Sequence, residues 1–177
     1  FSLTNKIIKE VDYILHLAAL ISIPYSYNSP MSYIKTNVEG TYNILESARL
    51  NKKKVIITST SEVYGSGTSF PMNENHRILA QSPYAASKIA ADNLALSYFN
   101  SFSLPVKIIR PFNTFGPRQS NRAIIPSVIS QILSKKNSIK VGNINPRRDW
   151  TYVTDLCEAY YKLYKSKKGF GNIYNVG

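Results

Sequence analysis

Apolar residues in this chain fall into two alternating patterns: short, nearly continuous runs and longer stretches in which they recur at threes and fours. Val11 to Leu17 is a short apolar run and reads as a strand. From Pro30 to Leu50 the spacing is helical, with Tyr33, Val38, Thr41, Leu45 and Ala48 recurring on one face. Ser29 is the expected N-cap there, and Pro30 suits the first helical position. Lys54 to Thr58 is a buried strand by composition. A second long helix is expected over Tyr84 to Phe102, capped by Ser82 with Pro83 at its first position, and Val106 to Arg110 is a further strand closed by Pro111. Strand–helix–strand–helix–strand with nearly continuous apolar strands predicts an α/β fold, a doubly wound parallel sheet with helices on both faces.

After Pro117 the pattern changes. A helix is expected over Ala123 to Ser134, a short strand at Ile139 to Val141, a helix over Val153 to Lys165 with Thr154 or Asp155 in its first turn, and a strand at Asn172 to Val176. The chain therefore divides into residues 1–117, carrying the sheet, and residues 118–177, a smaller segment with a returning sheet strand. That segment is expected over the carboxyl edge of the sheet, where ligands bind in open α/β folds. The glycines lie at 40, 65, 67, 116, 142, 169, 171 and 177, and none forms a phosphate-cradling turn near the start. An internal piece of a longer protein is expected, lacking its glycine-rich loop and its last segment.

Composition narrows the class. Apolar residues make up 44% of the chain, which is ordinary for a globular domain. No apolar run is long enough to span a bilayer, and the opening residues lack a signal-peptide pattern. The single cysteine, Cys157, fits a reducing compartment and a cytoplasmic setting, and its helical, apolar neighbourhood reads as a core thiol. The net charge of +12 raises nucleic-acid binding, but the cations are scattered. Lys52 to Lys54 precede a strand, while Lys135, Lys136, Lys165, Lys167 and Lys168 gather at helix ends, where cations complement the helix dipole. An anionic small molecule is the better use for some of this charge, and no metal site is expected.

The candidate chemistry lies where strands end. Ala18 and Ala19 follow His16 and Leu17, and small residues there let a planar cofactor approach, although they also serve as core filler. Thr58, Ser59, Thr60, Ser61 and Glu62 place hydroxyls and a carboxylate at the next strand end. A solvated turn is the plain alternative, but Val63, Tyr64 and Gly65 follow at once. Glu62 could remove a proton beside a carbonyl if burial tunes it. Tyr84 and Lys88 share one helix face, and an ammonium near a phenol favours the phenolate. Arg110 to Arg118 closes the last sheet strand, with Asn113 as donor and acceptor. Arg118, Arg122, Arg147 and Arg148 are guanidinium forks suited to a diphosphate, though surface charge is the usual task of arginine. Asp149 beside Arg148 could orient it.

Taken in order, His16-Leu-Ala-Ala19, Thr36-Asn37-Val-Glu-Gly-Thr41, Thr60-Ser-Glu-Val-Tyr-Gly65, Ser82-Pro-Tyr-Ala-Ala-Ser-Lys88, Arg110-Pro-Phe-Asn-Thr-Phe-Gly-Pro-Arg118 and Arg148-Asp-Trp-Thr-Tyr-Val-Thr-Asp155 resemble the extended short-chain dehydrogenase/reductases, in their NAD-dependent sugar-nucleotide epimerase/dehydratase branch. The resemblance implies a Rossmann-like sheet and bound NAD held by Ala18, Ala19, Asn37, Thr58, Ser59, Tyr84, Lys88 and Pro111. It also implies a nucleotide-diphosphate-sugar substrate contacted by Thr60, Asn113, Arg118, Arg122 and Arg148, and a homodimer through the two long helices. Glu62 discriminates within the branch. The 4,6-dehydratases carry Glu here as the C5 base, whereas 4-epimerases usually carry a small or hydroxylated residue. Ser61 stands where nucleoside-diphosphate-glucose dehydratases have an acidic Asp. Thr60-Ser61-Glu62 is similar to GDP-mannose 4,6-dehydratase and UDP-glucuronate decarboxylase. The stretches 18–27 and 116–126 most resemble N-acetylglucosamine-nucleotide 4,6-dehydratases of legionaminic-acid-type, cell-surface sugar pathways. The implied catalytic set is Thr60, Ser61, Glu62, Tyr84 and Lys88, acting in a 4,6-dehydratase on UDP-N-acetylglucosamine. Decarboxylation, 4-epimerisation and non-catalytic nucleotide-sugar binding are the alternatives.

Overall fold

The computed structural model describes residues 1–135 and 137–177; Lys136, expected beside Lys135 at a helix end, lies outside the described residues. A first helix α1 (Ser2–Ile8) leads to strand β1 (Tyr13–His16). Short helices α2 (Ile23–Asn28) and α3 (Pro30–Tyr33) follow, then a π-helical stretch (Ile34–Glu39) and α4 (Gly40–Leu50). Strand β2 (Lys54–Thr58) runs into a 3₁₀ turn (Ser61–Tyr64). Helix α5 (Pro83–Phe102), strand β3 (Val106–Pro111), the short strand β4 (Asn113–Phe115) and helix α6 (Ile124–Leu133) come next. The chain ends with β5 (Trp150–Tyr152), α7 (Val153–Lys165) and β6 (Ile173–Val176). Four strands form a parallel sheet in the order β1-β2-β3-β6, and β4 and β5 pair in a separate two-stranded parallel sheet.

Alternation along the central strands divides the core between the two sheet faces. Val55, Ile57, Val106 and Ile108 meet Leu45 and Ala48 of α4 and Ala95 and Tyr98 of α5. Ile56 and Ile109 point the other way, onto Tyr160, Leu156 and Leu163 of α7. The doubly wound α/β sheet expected from the apolar runs is present. No helix among the described residues is long and apolar enough to cross a membrane.

Two charged residues interrupt β3. Lys107 is fully buried, and its ammonium donates to the carbonyls of Leu163 and Ser166, both at 2.7 Å. It thereby satisfies main-chain acceptors at the C-terminal end of α7, where cations are favoured. Arg110 faces the opposite side, towards α5.

Several expectations need correction. Ser29 does not cap the helix after it; its hydroxyl meets that of Ser32 at 2.7 Å. The 30–50 helix is not uniform, because the ladder widens to π geometry over Ile34–Glu39. Residues 139–141 form no strand; the Lys140 main chain instead pairs with the Gln131 side chain, at 2.8 and 2.9 Å. Cys157 is exposed, because it falls between Leu156 and Tyr160 on the flank of the α7 stripe that faces the sheet. The expected cap of α5 is present: the Ser82 hydroxyl accepts from the Ala85 amide at 3.0 Å, with Pro83 at the first position.

Candidate active site

The carboxyl ends of β1, β2 and β3 carry the candidate residues. After β1, the segment holding Ala18 and Ala19 is fixed by Asn37, which lies in the π-helical stretch and is 1% exposed. Its side chain accepts from the Leu20 amide at 2.8 Å, donates to the Leu20 carbonyl at 2.9 Å and donates to Ser87 at 2.9 Å. The π widening thus turns a helical side chain towards the strand end, a distortion that often marks functional sites.

His16 is buried and shares a 3.1 Å hydrogen bond with Thr41. Burial, with Lys88 adding to it, brings its imidazole down from the ordinary 6.5 to about 4. The folded chain therefore holds His16 neutral while the unfolded chain protonates it, so stability falls as pH drops through the window from 6.5 to about 4. The loss should approach about 3 kcal/mol by the bottom of that window. Urea midpoints measured across it should decline for the native protein and flatten for His16→Gln, which keeps a donor for Thr41.

After β2, the Thr58 hydroxyl meets Tyr160 at 2.5 Å and the Ser59 hydroxyl donates to Asp92 at 2.9 Å. Both hydroxyls expected to meet the cofactor are thus engaged within the protein. Thr60 caps the 3₁₀ turn, accepting from the Glu62 amide at 3.2 Å. Gly65 ends that turn at φ +64°, and a Cβ there would lie 2.7 Å from the Leu79 carbonyl, so the sharp exit after Tyr64 depends on glycine.

Tyr84 and Lys88 are 6% and 3% exposed on α5. Burial above all, with Glu62, Tyr33 and Asp92 acting the same way, raises the Tyr84 phenol to about 12. Only the Thr60 hydroxyl pulls it down among the described residues. The expectation that Lys88 lowers it is not met, because the Lys88 ammonium is aimed instead at the Thr58 carbonyl, 2.5 Å away. Burial also lowers the pKa of Lys88 itself, against the pull of Asp92. An ammonium has three donors, and this one has a single protein acceptor among the described residues. The remaining donors suit a ligand bringing hydroxyl oxygens, which is what the ribose of NAD would present.

An open cleft of about 1060 Å³ lies over these strand ends. Ser61 and Glu62 line it together with Asn113, Arg147, Arg148 and Trp150, and with Phe70 and Met72 from the 66–81 loop. Thr60, Tyr84, Lys88 and Pro111 are not in its wall. Arg118 and Arg122 are also outside it: Arg118 is exposed on a turn at φ +67°, and Arg122 hydrogen-bonds to Ser120. Asp149 does not pair with Arg148, whose guanidinium donates to the Arg147 carbonyl at 3.0 Å. Arg147 was expected only as one of four candidate diphosphate forks, and the loop residues Phe70 and Met72 were absent from the expected substrate contacts. Arg147 was legible in the arginine pair, whereas nothing in the composition of 66–81 marked that loop as a wall.

A parallel α/β sheet of Rossmann type thus carries a Tyr–Lys helix, a carboxylate-bearing turn and a cleft rimmed by arginines at its strand ends. Residues 2–177 match the model of the family described as GDP-mannose 4,6 dehydratase, and the chain belongs to that family. It is 35% identical to the dTDP-D-glucose 4,6-dehydratase of Dictyostelium discoideum, over 96% of this chain and 42% of that protein. Among solved structures, the UDP-N-acetylglucosamine 4-epimerase of Methanobrevibacter ruminantium superimposes with a TM-score of 0.92 at 34% identity, covering 98% of this chain and 57% of that one. DesIV, a dTDP-glucose 4,6-dehydratase of Streptomyces venezuelae solved with NAD bound, gives 0.91 at 30% identity, over 99% and 55%. Dehydratases, epimerases and decarboxylases of nucleotide sugars all occur among its relatives. The chain spans about half the length of the curated relatives it matches.

Proposed function

We propose that the protein containing these residues is an NAD-dependent nucleotide-sugar 4,6-dehydratase acting on UDP-N-acetylglucosamine in cytoplasmic synthesis of cell-surface sugars. The observation that carries this reading is Glu62, a carboxylate in the cleft wall close enough to Tyr84 to raise its phenol pKa. An enzyme that only inverts C4 has no need of such a base.

In this reading the Tyr84 phenol, at about 12 in the chain alone, is brought down on binding of cofactor and substrate and takes the proton from the sugar O4, with the Thr60 hydroxyl bonded to the same oxygen. NAD, held by these residues, would supply the hydride acceptor for oxidation at C4 and the hydride donor for reduction at C6. Lys88 donates its free N–H groups to the cofactor ribose, beside Ala18, Ala19 and Asn37. The C4 ketone acidifies C5, and Glu62 removes that proton. The C6 hydroxyl leaves as water, protonated by Glu62 with help from Ser61, and once C6 is reduced C5 takes back a proton from solvent through Glu62. Asn113 and Arg148 hold the diphosphate, joined by Arg147, and Arg118 and Arg122 take a lesser part. Residues 118–177 supply most of these substrate contacts. The exposed Tyr42 and Phe102 on the long helices support pairing of two copies there.

Decarboxylation of a nucleotide-linked uronic acid is the second reading, favoured by the two cleft arginines, which also suit a sugar carboxylate. The deciding experiment expresses the complete reading frame and offers it UDP-N-acetylglucosamine, dTDP-glucose and UDP-glucuronate in turn. A 4-keto-6-deoxy product from the first is expected, with a dimeric mass by light scattering. A pentose from the third, or a C4 epimer alone, would displace the dehydratase reading.

A further inference from the structure

A chain of polar side chains, buried apart from Asn175 at the cleft wall, is left unused by the mechanism above. Arg110 and Asp92 are 3% and 2% exposed. Nε and Nη2 of Arg110 donate to one Asp92 oxygen, at 3.0 and 2.9 Å, and the Ser59 hydroxyl donates to the same oxygen at 2.9 Å. Nη1 of Arg110 donates to the Tyr64 hydroxyl at 2.9 Å. That hydroxyl donates to the Asn175 side chain at 2.7 Å, and Asn175 in turn donates to the Met72 carbonyl at 3.2 Å.

Each member sits on an element that carries part of the site. Asp92 lies one helical turn beyond Lys88 on α5. Tyr64 ends the 3₁₀ turn that holds Ser61 and Glu62. Ser59 directly precedes Thr60, and Met72 belongs to the cleft wall. Arg110 and Asn175 are register partners on β3 and β6. A guanidinium has donors at fixed angles in one plane, so it can hold helix and turn at a set spacing where a flexible ammonium cannot.

We propose that Arg110 is a positioning residue which, through Asp92 and Tyr64, fixes the turn bearing Glu62 relative to the helix bearing Tyr84. This rests on the dehydratase reading. Oxidation at C4 calls on Tyr84 and Thr60, whereas proton loss at C5 also requires Glu62 to reach a sugar already held for oxidation. Loosening the turn should therefore slow the second step more than the first; a misplacement of about 1 Å can cost roughly a hundredfold.

Tyr64→Phe tests this. It keeps the ring, with its edge contact to His76 and its face under the Arg110 guanidinium, and deletes the hydroxyl that joins Arg110 to Asn175. Arg110→Lys keeps the charge and loses the fork. Both variants of the complete protein are followed in single turnovers with UDP-N-acetylglucosamine, reading reduced-cofactor absorbance and solvent deuterium entering C5. In Tyr64→Phe, cofactor reduction should stay within about twofold of the native rate. Deuterium entry and 4-keto-6-deoxy product should fall about tenfold or more, with reduced cofactor accumulating. Arg110→Lys should show the same imbalance more strongly; if it fails to fold, Tyr64→Phe still decides. Equal slowing of both steps, or a drop in thermal midpoint with unchanged kinetics, overturns the positioning role while leaving the dehydratase reading intact. A native enzyme that makes no such product removes that reading, and this proposal with it.

Discussion

Changing Glu62 to Gln is expected to slow formation of the 4-keto-6-deoxy sugar by roughly a hundredfold to ten-thousandfold, the range a positioned general base contributes. Gln matches Glu in shape, and the hydrogen bond that fixes this position in the 3₁₀ turn runs from the residue 62 amide to Thr60, so the turn itself should survive. What is lost is the proton acceptor at C5. Oxidation at C4 does not need it, so reduced cofactor should build up on the enzyme. Tyr84→Phe should behave differently: without the phenol oxygen neither cofactor reduction nor product should appear at more than a similarly small fraction of the native rate. Rapid-quench product analysis alongside cofactor absorbance separates the two patterns. If Glu62→Gln makes product at the native rate, Glu62 is not the base.

The contrast between these two residues also shows what could be seen in the sequence. The sheet was legible because Lys54 to Thr58 and Val106 to Arg110 are apolar enough to be buried on both faces, and the alternation of Val55, Ile56 and Ile57 between two packed layers follows from the strand period of two. The start of α5 was legible because Ser82 and Pro83 meet local requirements that no distant residue alters. The environment of Tyr84 was not. Spacing placed Lys88 on the same face, but the direction of its ammonium is set by the Thr58 carbonyl, thirty positions away in sequence. The strand expected at 139–141 failed because a strand needs an adjacent edge, and among the described residues it is the Gln131 side chain that pairs with that backbone. β4 and β5 escaped notice for the converse reason: each is three residues long, and only its pairing partner makes it a strand. Arg110 carried a signal that was available, since a charge inside a buried strand implies a buried partner. Sequence alone could not say that the partner was Asp92.

That partnership leads to the largest stability effect expected here. Asp92→Ala should lower the unfolding free energy by about 3–5 kcal/mol, because it strands Arg110 as an uncompensated buried charge. Tyr64 would be left as the one side-chain acceptor for the guanidinium among the described residues. A buried pair of this kind is a weak source of net stability, because both charges lose their hydration. Burial lifts the Asp92 carboxyl above its usual range even though Arg110, Ser59 and Lys88 all pull it down, and its second oxygen has no hydrogen-bond partner among the described residues. Desolvation thus opposes the attraction within the pair. It follows that Asp92→Leu combined with Arg110→Met should cost much less than the sum of the two single changes, a strongly non-additive cycle. Urea unfolding of the four proteins measures it directly. Additive costs would mean that Arg110 draws its compensation from elsewhere in the fold. A double variant that folds well yet fails at C5 would separate the geometric role of the pair from its energetic one.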